Sequence, residues 1–294
     1  MDPKASSAPH AEERFFPRYA YFSSVCRKLG NTVKDALFPG VCFACGRLFP
    51  IAHRRYTIDG YDEDGQCHFE ALFEGYLCTA CRSQYAEITT PMCLQCGLPF
   101  ESSHGIDHLC GDCVTQPPSY AEARAAGIYQ GALKSTIHQL KYKGREHLAR
   151  PLGRLLWATL RKYWAADQFD SVVPVPLHPS RLRKRGFNQA QALLVEWPRL
   201  VMRDGLRPPA EWIAPRLLVR YRPTEPQTGL KRDRRMENLR RAFRVTDRQR
   251  IRSHSVLVVD DVLTTGATAD ACVRTLLNAG ARSVRVLTLA RALL

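Results

Sequence analysis

Two adjacent carboxylates, Asp260 and Asp261, stand between a short apolar run and a loop of small and hydroxyl-bearing residues. The run, Val256 to Val259, predicts a buried strand that ends at the carboxylates, and the apolar spacing after the loop predicts a helix. The loop consists of Thr264, Thr265, Gly266, Ala267 and Thr268. Unpaired N–H groups and the dipole at a helix start favour a phosphate, whereas carboxylates hold hydroxyl groups or a metal ion. The stretch therefore predicts a ribose 5-phosphate site, and the alternative is an ordinary core strand, an acidic turn and a capped helix.

Eight of the eleven cysteines form four Cys-x-x-Cys pairs, the second pattern with chemical meaning. Two thiolates at this spacing bind one ion, and two such turns complete a tetrahedral site of four sulfurs. Chain order predicts one zinc ion between the first two pairs and another between the last two, and interleaved pairing stays open. Because cysteines fill every position, both ions are predicted to be structural. The pairs are Cys42/Cys45, Cys78/Cys81, Cys93/Cys96 and Cys110/Cys113.

Two alternatives apply to these cysteines. A redox role is one, although four pairs within 72 residues argue against it. The other is that a neighbouring side chain replaces one thiolate as a ligand. The candidates for such a replacement are Cys67, His68, His104 and His108.

The elements that must position these groups alternate between strands and helices from residue 119 onward. This alternation predicts a mostly parallel sheet flanked by helices. Ligands bind such sheets beyond the carboxyl ends of the strands. A second apolar run, Val172 to Leu177, predicts another strand that delivers a loop to the edge where Asp260 lies.

Basic residues are concentrated in two segments of a chain whose formal net charge is +15. Four of the five residues from 181 to 185 are basic, and residues 216–252 hold 13 basic and 4 acidic residues. A charge of this size predicts acidic partners: nucleic acid, phosphorylated metabolites or an anionic membrane. A solvated face is the alternative for the individual side chains.

The length of 294 residues and the Pro117-Pro118 pair predict a division into segments. We expect a tail and docking helix in residues 1–36, a Cys-rich module in residues 37–118 and the α/β domain in residues 119–294. Apolar runs are too short to span a membrane, and the first residues lack a signal-peptide pattern. The sequence therefore predicts a cytoplasmic protein without a membrane span.

These motifs resemble known families. The stretch from Val256 to Thr268 resembles the ribose-phosphate loop of type I phosphoribosyltransferases. The strings Val-Pro-Val-Pro-Leu-His-Pro and Arg-Gly-Phe-Asn-Gln in residues 173–189, with the pattern from Gln227 to Phe243, resemble the ComF family. The four cysteine pairs resemble the double zinc ribbon that precedes the phosphoribosyltransferase domain in many ComF proteins. The resemblance implies an α/β fold with a type I phosphoribosyltransferase-like, mostly parallel sheet, preceded by a small double zinc ribbon.

The resemblance also implies roles for particular residues. Asp260 and Asp261 would hold the ribose hydroxyls of phosphoribosyl pyrophosphate, and residues 264–268 would cradle its 5-phosphate. The loop around Gln227 would close over the substrate, and Mg²⁺ would bridge pyrophosphate and ribose oxygens. The residues implied to meet the pyrophosphate are Pro176, Leu177, Arg181 and Arg185.

Two functions are compatible with this resemblance. The first is a magnesium-dependent phosphoribosyltransferase with an unknown acceptor, linked to DNA uptake in natural transformation. The second is a non-catalytic competence factor that uses the pocket as a nucleotide sensor. In that case the basic and zinc-binding segments would hold single-stranded DNA or a helicase-like partner.

Overall fold

The computed structural model describes residues 39–50, 68–102, 104–222 and 242–293. Three sequence-based predictions concern residues outside these ranges: the docking helix near the N-terminus, Cys67 as a ligand, and Gln227. Among the helices of the described ranges, none combines the length and the apolar character needed to cross a bilayer.

The Cys-rich part consists of short elements around two groups of cysteines. They are β1 (Gly40–Val41), β2 (Leu48–Phe49), α1 (Phe69–Leu72), α2 (Thr79–Arg82) and α3 (Gly111–Thr115). Strands β1 and β2 pair in antiparallel fashion. Elements of two to five residues bury little apolar surface by themselves, so metal binding is expected to supply much of the folding free energy of this part.

The α/β part follows. Its strands are β3 (Ala123–Ile128), β4 (Ser171–Pro174), β5 (Leu218–Arg220), β6 (Phe243–Val245), β7 (Ser255–Leu263) and β8 (Ser283–Arg291). Its helices are α4 (Gly131–Tyr142), α5 (Ala149–Tyr163), α6 (Pro179–Arg185), α7 (Gln189–Ala192), α8 (Trp197–Arg203), α9 (Arg248–Ile251) and α10 (Ala267–Asn278). Two 3₁₀ turns cover Glu146–Leu148 and Ala166–Gln168.

Four strands form the central sheet in the order β3-β8-β7-β4, and every pairing in it is parallel. Strands β5 and β6 form a separate antiparallel pair. The predicted mostly parallel sheet with flanking helices is therefore confirmed. Strand β4 pairs with β7 in a register that sets Pro174 opposite Val259, so the loops after both strands leave the same edge.

Alternate residues of β7 face different layers. Leu257 and Val259 belong to a core shared with α4, α5 and the cysteines Cys42 and Cys81. Val256 and Val258 belong to a second core, shared with α10 and with all four cysteines of the later pairs. Because side chains alternate along a strand, the two groups of cysteines pack against opposite faces of the sheet.

One local prediction was wrong in detail. Strand β7 continues to Leu263, so the two carboxylates lie inside the strand and not at its end. The basic run 181–185 is helical in α6, where His178 caps the N-terminus by accepting from Ser180 N. Pro198 occupies the first turn of α8, a position at which proline loses no helical hydrogen bond.

Candidate phosphate site and metal centres

The eight paired cysteines form two groups, one of the first and second pairs and one of the third and fourth. Within each group the sulfurs lie within 4.8 Å of one another. Cys45 Sγ is 3.8 Å from Cys78 Sγ, and Cys96 Sγ is 3.7 Å from Cys110 Sγ. A tetrahedral zinc site with Zn–S bonds of about 2.3 Å needs sulfurs about 3.8 Å apart. The residues fit two structural zinc ions and exclude the interleaved pairing.

The two groups differ in their exposure to solvent. In the first centre Cys45 is exposed and Cys78 is half-buried, whereas all four cysteines of the second centre are buried. In the second centre Cys93 Sγ also accepts from the backbone N–H groups of Cys96 and Cys110, at 3.5 and 3.3 Å. Such N–H···S contacts stabilise thiolates that have lost their hydration.

The alternative histidine ligands do not join either group of potential metal ligands found in the described ranges. His108 instead stacks on Phe100, with ring centroids 4.0 Å apart. The eight paired cysteines therefore supply four ligands to each of the two centres, in the pairing that chain order predicted.

The loop of Thr264–Thr268 forms the N-terminus of α10. Gly266 is the N-cap residue and has φ +79, a left-handed conformation that glycine adopts at low cost. The backbone N–H groups of Thr264, Thr265 and Gly266 donate no hydrogen bond to any described residue. Three successive free donors at the start of a 12-residue helix form a site for an anion.

Asp260 is half-buried and lies next to this loop along the chain. Its Oδ1 accepts from the N–H of Asp261 at 2.8 Å. Burial and the adjacent charge of Asp261 raise the pKa of Asp260 to about 7. A carboxylate with such a pKa gains from a cation or from hydroxyl donors that stabilise its charged form.

Asp261 has partners within the protein. Its Oδ1 lies 2.6 Å from Nζ of Lys141, and its Oδ2 accepts from Nε2 of Gln189 at 3.2 Å. Burial alone would lower the pKa of Lys141, but the charge of Asp261 outweighs burial and raises it. The two adjacent acids therefore have different surroundings. Asp261 forms an ion pair with Lys141, whereas in Asp260 burial and the charge of Asp261 outweigh the nearby charges of Lys141 and Arg220 and raise the pKa.

Sequence reasoning missed Lys141 as a member of this site. It lies at the end of α4, in the string Lys-Tyr-Lys-Gly-Arg, whose only signal was its charge. Gln189 was noticed as part of a motif, without a partner. Nothing local to either residue indicates Asp261, because the contact depends on the packing of α4 and α7 against β7.

The residues predicted to meet a pyrophosphate follow β4 at the same edge. Val175 N donates to Val259 O at 2.9 Å, which fixes the start of the loop containing Pro176 and Leu177 beside β7. Arg181 is exposed on α6, and Arg185 stacks over the ring of Tyr142 with its guanidinium carbon 5.2 Å from the centroid. These side chains add positive charge to the edge that carries residues 264–268, the candidate phosphate loop.

Comparisons with known proteins agree with this architecture. Residues 66–114 match the family model described as a double zinc ribbon domain, and residues 211–293 match the phosphoribosyl transferase domain. The DNA utilization protein YhgH of Escherichia coli K12 is 33% identical over 226 residues, which cover 76% of this chain and 93% of that protein. Competence protein F of Haemophilus influenzae is 30% identical, over 74% of this chain and 90% of that protein.

The chain belongs to the ComF family. Competence protein ComFC of Bacillus subtilis is a more distant ComF relative, 29% identical over 73% of this chain and 84% of its own length. In this ComF chain the double zinc ribbon packs onto both faces of a phosphoribosyltransferase-type sheet. The candidate phosphate loop and the two acids stand at one edge of that sheet.

Proposed function

We propose that this edge of the sheet binds phosphoribosyl pyrophosphate together with Mg²⁺. One observation carries the proposal: three unpaired N–H groups at the start of α10 begin four residues after a half-buried carboxylate, Asp260, whose pKa is raised despite the nearby charges of Lys141 and Arg220. The N–H groups suit the 5-phosphate, and the carboxylate suits ribose hydroxyls. The chain would cradle the phosphate with Thr264, Thr265, Gly266, Ala267 and Thr268.

Asp260 is also the group suited to Mg²⁺, which prefers oxygen ligands and few protein contacts. When bound, the ion would neutralise charge on the pyrophosphate. Asp261 takes a supporting role in this proposal, because its charge is already held by Lys141. Arg181 and Arg185, with the backbone at Pro176 and Leu177, would meet the pyrophosphate, and Gln227 remains a predicted contact of the closing loop.

The activity we propose is transfer of the phosphoribosyl group to an acceptor. The bond between ribose C1 and the pyrophosphate oxygen breaks, pyrophosphate leaves with the electron pair, and a nucleophile on the acceptor bonds to C1. The protein assists by stabilising the negative charge that develops on the leaving group and by excluding water. The acceptor is the unknown in this proposal.

A second candidate is a non-catalytic role in the handling of DNA. The printed names of the relatives refer to DNA utilization and to competence. Four residues of α6 are cationic and mostly exposed, as a surface that binds the phosphate backbone of a nucleic acid requires. They are Arg181, Arg183, Lys184 and Arg185. In this role the pocket would sense a nucleotide, while the basic surface holds single-stranded DNA or a helicase-like partner.

Calorimetry with phosphoribosyl pyrophosphate tests the ligand assignment. We expect binding that needs Mg²⁺ and that is lost in Asp260→Asn. The matched control is Glu211→Gln, which removes an exposed carboxylate remote from the loop and should leave affinity unchanged. Absence of binding to the unaltered protein would refute the assignment.

Release of pyrophosphate separates the two candidate functions. A screen of nucleobases and amines as acceptors should yield pyrophosphate if the protein is a transferase. Binding without release across the screen would favour the sensor. DNA binding that weakens steeply with salt, and that falls when Arg183 and Lys184 become Gln, would support the nucleic-acid role.

A further inference from the structure

Arg291, the last residue of β8, lies between the second cysteine centre and the phosphate loop. It is buried, with 9% of its surface exposed. Its Nη1 donates to the carbonyl oxygens of Leu263 and Thr264, the former at 3.1 Å. Its Nη2 lies 4.0 Å from Cys96 Sγ. One guanidinium thus contacts both the backbone where the loop begins and a predicted zinc ligand.

The contacts from Arg291 to Thr264 O and to Leu263 O, which also accepts from Ala292 N at 2.9 Å, help to orient the N–H groups of the loop. In a trans peptide the C=O and the following N–H share a plane and point in opposite directions. A hydrogen bond from Arg291 to Leu263 O therefore turns the N–H of Thr264 away from Arg291. The bond to Thr264 O does the same for the N–H of Thr265. These are two of the three donors that are free for an anion.

The charge of Arg291 suits the second centre. A zinc ion with four thiolates carries two negative charges, and all four cysteines of this centre are buried. A buried charge needs a nearby opposite charge or hydrogen bonds to offset its lost hydration. Arg291 supplies such a charge, whereas the first centre has access to water at Cys45.

The second centre is also fixed rigidly to the sheet. Ala123 N donates to Gln95 O at 2.7 Å, and Arg124 Nη1 donates to Leu94 O at 3.0 Å. Gly97 lies so close to β3 that a Cβ added to it would be 2.5 Å from Ala123 O. The turn that carries Cys93 and Cys96 therefore cannot shift without moving β3.

Contacts made by Ser119 and Tyr120, the residues that follow the ribbon, complete this side of the loop. Ser119 N donates to Asp270 Oδ1 at 2.6 Å. A Cβ added at Gly266 would lie 3.4 Å from the hydroxyl of Tyr120. A cavity of about 350 Å³ separates the two parts and is lined by residues of both, among them Cys96, Tyr120, Gly266 and Arg291. The loop thus faces the second cysteine centre across this cavity, and Arg291 spans the distance between them.

We propose that Arg291 is a positioning residue that couples the second zinc centre to the phosphate loop. It neutralises the centre on one side and, on the other, holds two carbonyls so that the N–H groups of Thr264 and Thr265 face the anion. The inference deepens the proposed function and rests on it for the identity of the anion. It predicts that the second centre, and not the first, sets the affinity of the loop for phosphate.

The test compares Arg291→Met with Arg124→Met. Arg124 is a matched control because it is also buried, lies on the neighbouring strand β3 and bonds to the same ribbon, but does not touch the loop. The first measurement is the ¹⁵N order parameters of Thr264 and Thr265 without ligand. We expect them to fall toward those of a flexible segment, about 0.6 or less, in Arg291→Met and to stay unchanged in Arg124→Met. Unchanged order in Arg291→Met would overturn the inference.

The second measurement is affinity for phosphoribosyl pyrophosphate with Mg²⁺. Arg291→Met removes charge-assisted hydrogen bonds that orient two donors, so its affinity should be weaker on the order of tenfold or more. The affinity of Arg124→Met should be close to that of the unaltered protein. Equal losses in both variants would contradict the coupling. If the unaltered protein does not bind this ligand, the proposed function fails, while the order parameters still decide the inference.

Arg291→Lys, with ¹¹³Cd in place of zinc, keeps the test decisive if the Met variant does not fold. Lysine retains the charge but cannot reach two loop carbonyls and Cys96 together, since it has one ammonium and not a planar fork. Two ¹¹³Cd resonances are expected, one for each centre. The substitution should move the resonance of the second centre alone and lower the order of the loop. A spectrum in which neither resonance moves would overturn the electrostatic contact with Cys96.

Discussion

Lys141 and Asp261 form a buried ion pair at the base of the candidate site, with 2.6 Å between Nζ and Oδ1. In the adjacent Asp260, burial and the charge of Asp261 outweigh the nearby charges of Lys141 and Arg220 and raise the pKa of the carboxyl. The two adjacent aspartates thus have different surroundings because they lie on opposite faces of β7.

Breaking this pair should destabilise the fold strongly. Lys141→Met or Asp261→Asn leaves one buried charge unpaired, and we expect a loss of about 3–5 kcal/mol in the free energy of unfolding measured in urea. The double variant should recover part of this loss, because neither charge remains. Additive losses in the double-mutant cycle would contradict a direct pair. The control is Lys162→Met, which breaks the 2.6 Å pair with Glu87 on the surface and should cost less than about 1 kcal/mol.

Asp260 should make the stability of the unliganded protein fall as pH rises. Its folded pKa of about 7 lies above the value near 3.9 of an unfolded chain, so between these values the folded state holds a proton that the unfolded state has lost. Stability therefore declines from about pH 4 to pH 7 and levels off above. Asp260→Asn should remove the decline, stabilising the protein at pH 8 by up to about 4 kcal/mol and not at pH 4. Parallel profiles for the two proteins, from denaturant titrations across this range, would refute the assignment.

Gly266→Ala should weaken anion binding more than it lowers stability. The left-handed conformation at this residue costs an L-amino acid about 1–2 kcal/mol, and a distorted loop turns its N–H groups from the ligand. Gly205→Ala is a matched control, with φ +76 and no atom within 4 Å of the new Cβ. Both variants should lose similar stability by thermal melting, and only Gly266→Ala should lose affinity by calorimetry. Equal affinities would show that the loop tolerates the substitution.

The two zinc ions should leave the protein at different rates. Metal analysis is expected to give two zinc ions per chain. A chelator reaches the first centre through the exposed Cys45, whereas the second centre has no exposed cysteine. Release monitored with a colorimetric indicator should therefore show a fast and a slow phase of similar amplitude. Cys45→Ser should remove the fast phase and leave the slow one; a single phase would mean that burial does not control release.

Local patterns in the sequence were sufficient for the parts of the site that are local in the chain. The spacing of the cysteine pairs predicted both groups, and chain order predicted their composition. The string from Thr264 to Thr268 predicted the loop before α10, because a glycine and small hydroxyl residues favour this turn and this cap. Alternation of strands and helices predicted the parallel sheet. In each case a few neighbouring residues determine the geometry.

The sequence did not reveal the contacts that give these parts different roles. Lys141 joins Asp261, and Arg291 approaches Cys96 from 195 positions away. Both contacts depend on the strand order β3-β8-β7-β4, which brings distant segments together. The sequence by itself thus determined the ligands and the loop. Only the tertiary structure decided which acid pairs with Lys141 and which cysteine centre Arg291 contacts, because burial and opposite charge act between residues that the chain separates widely.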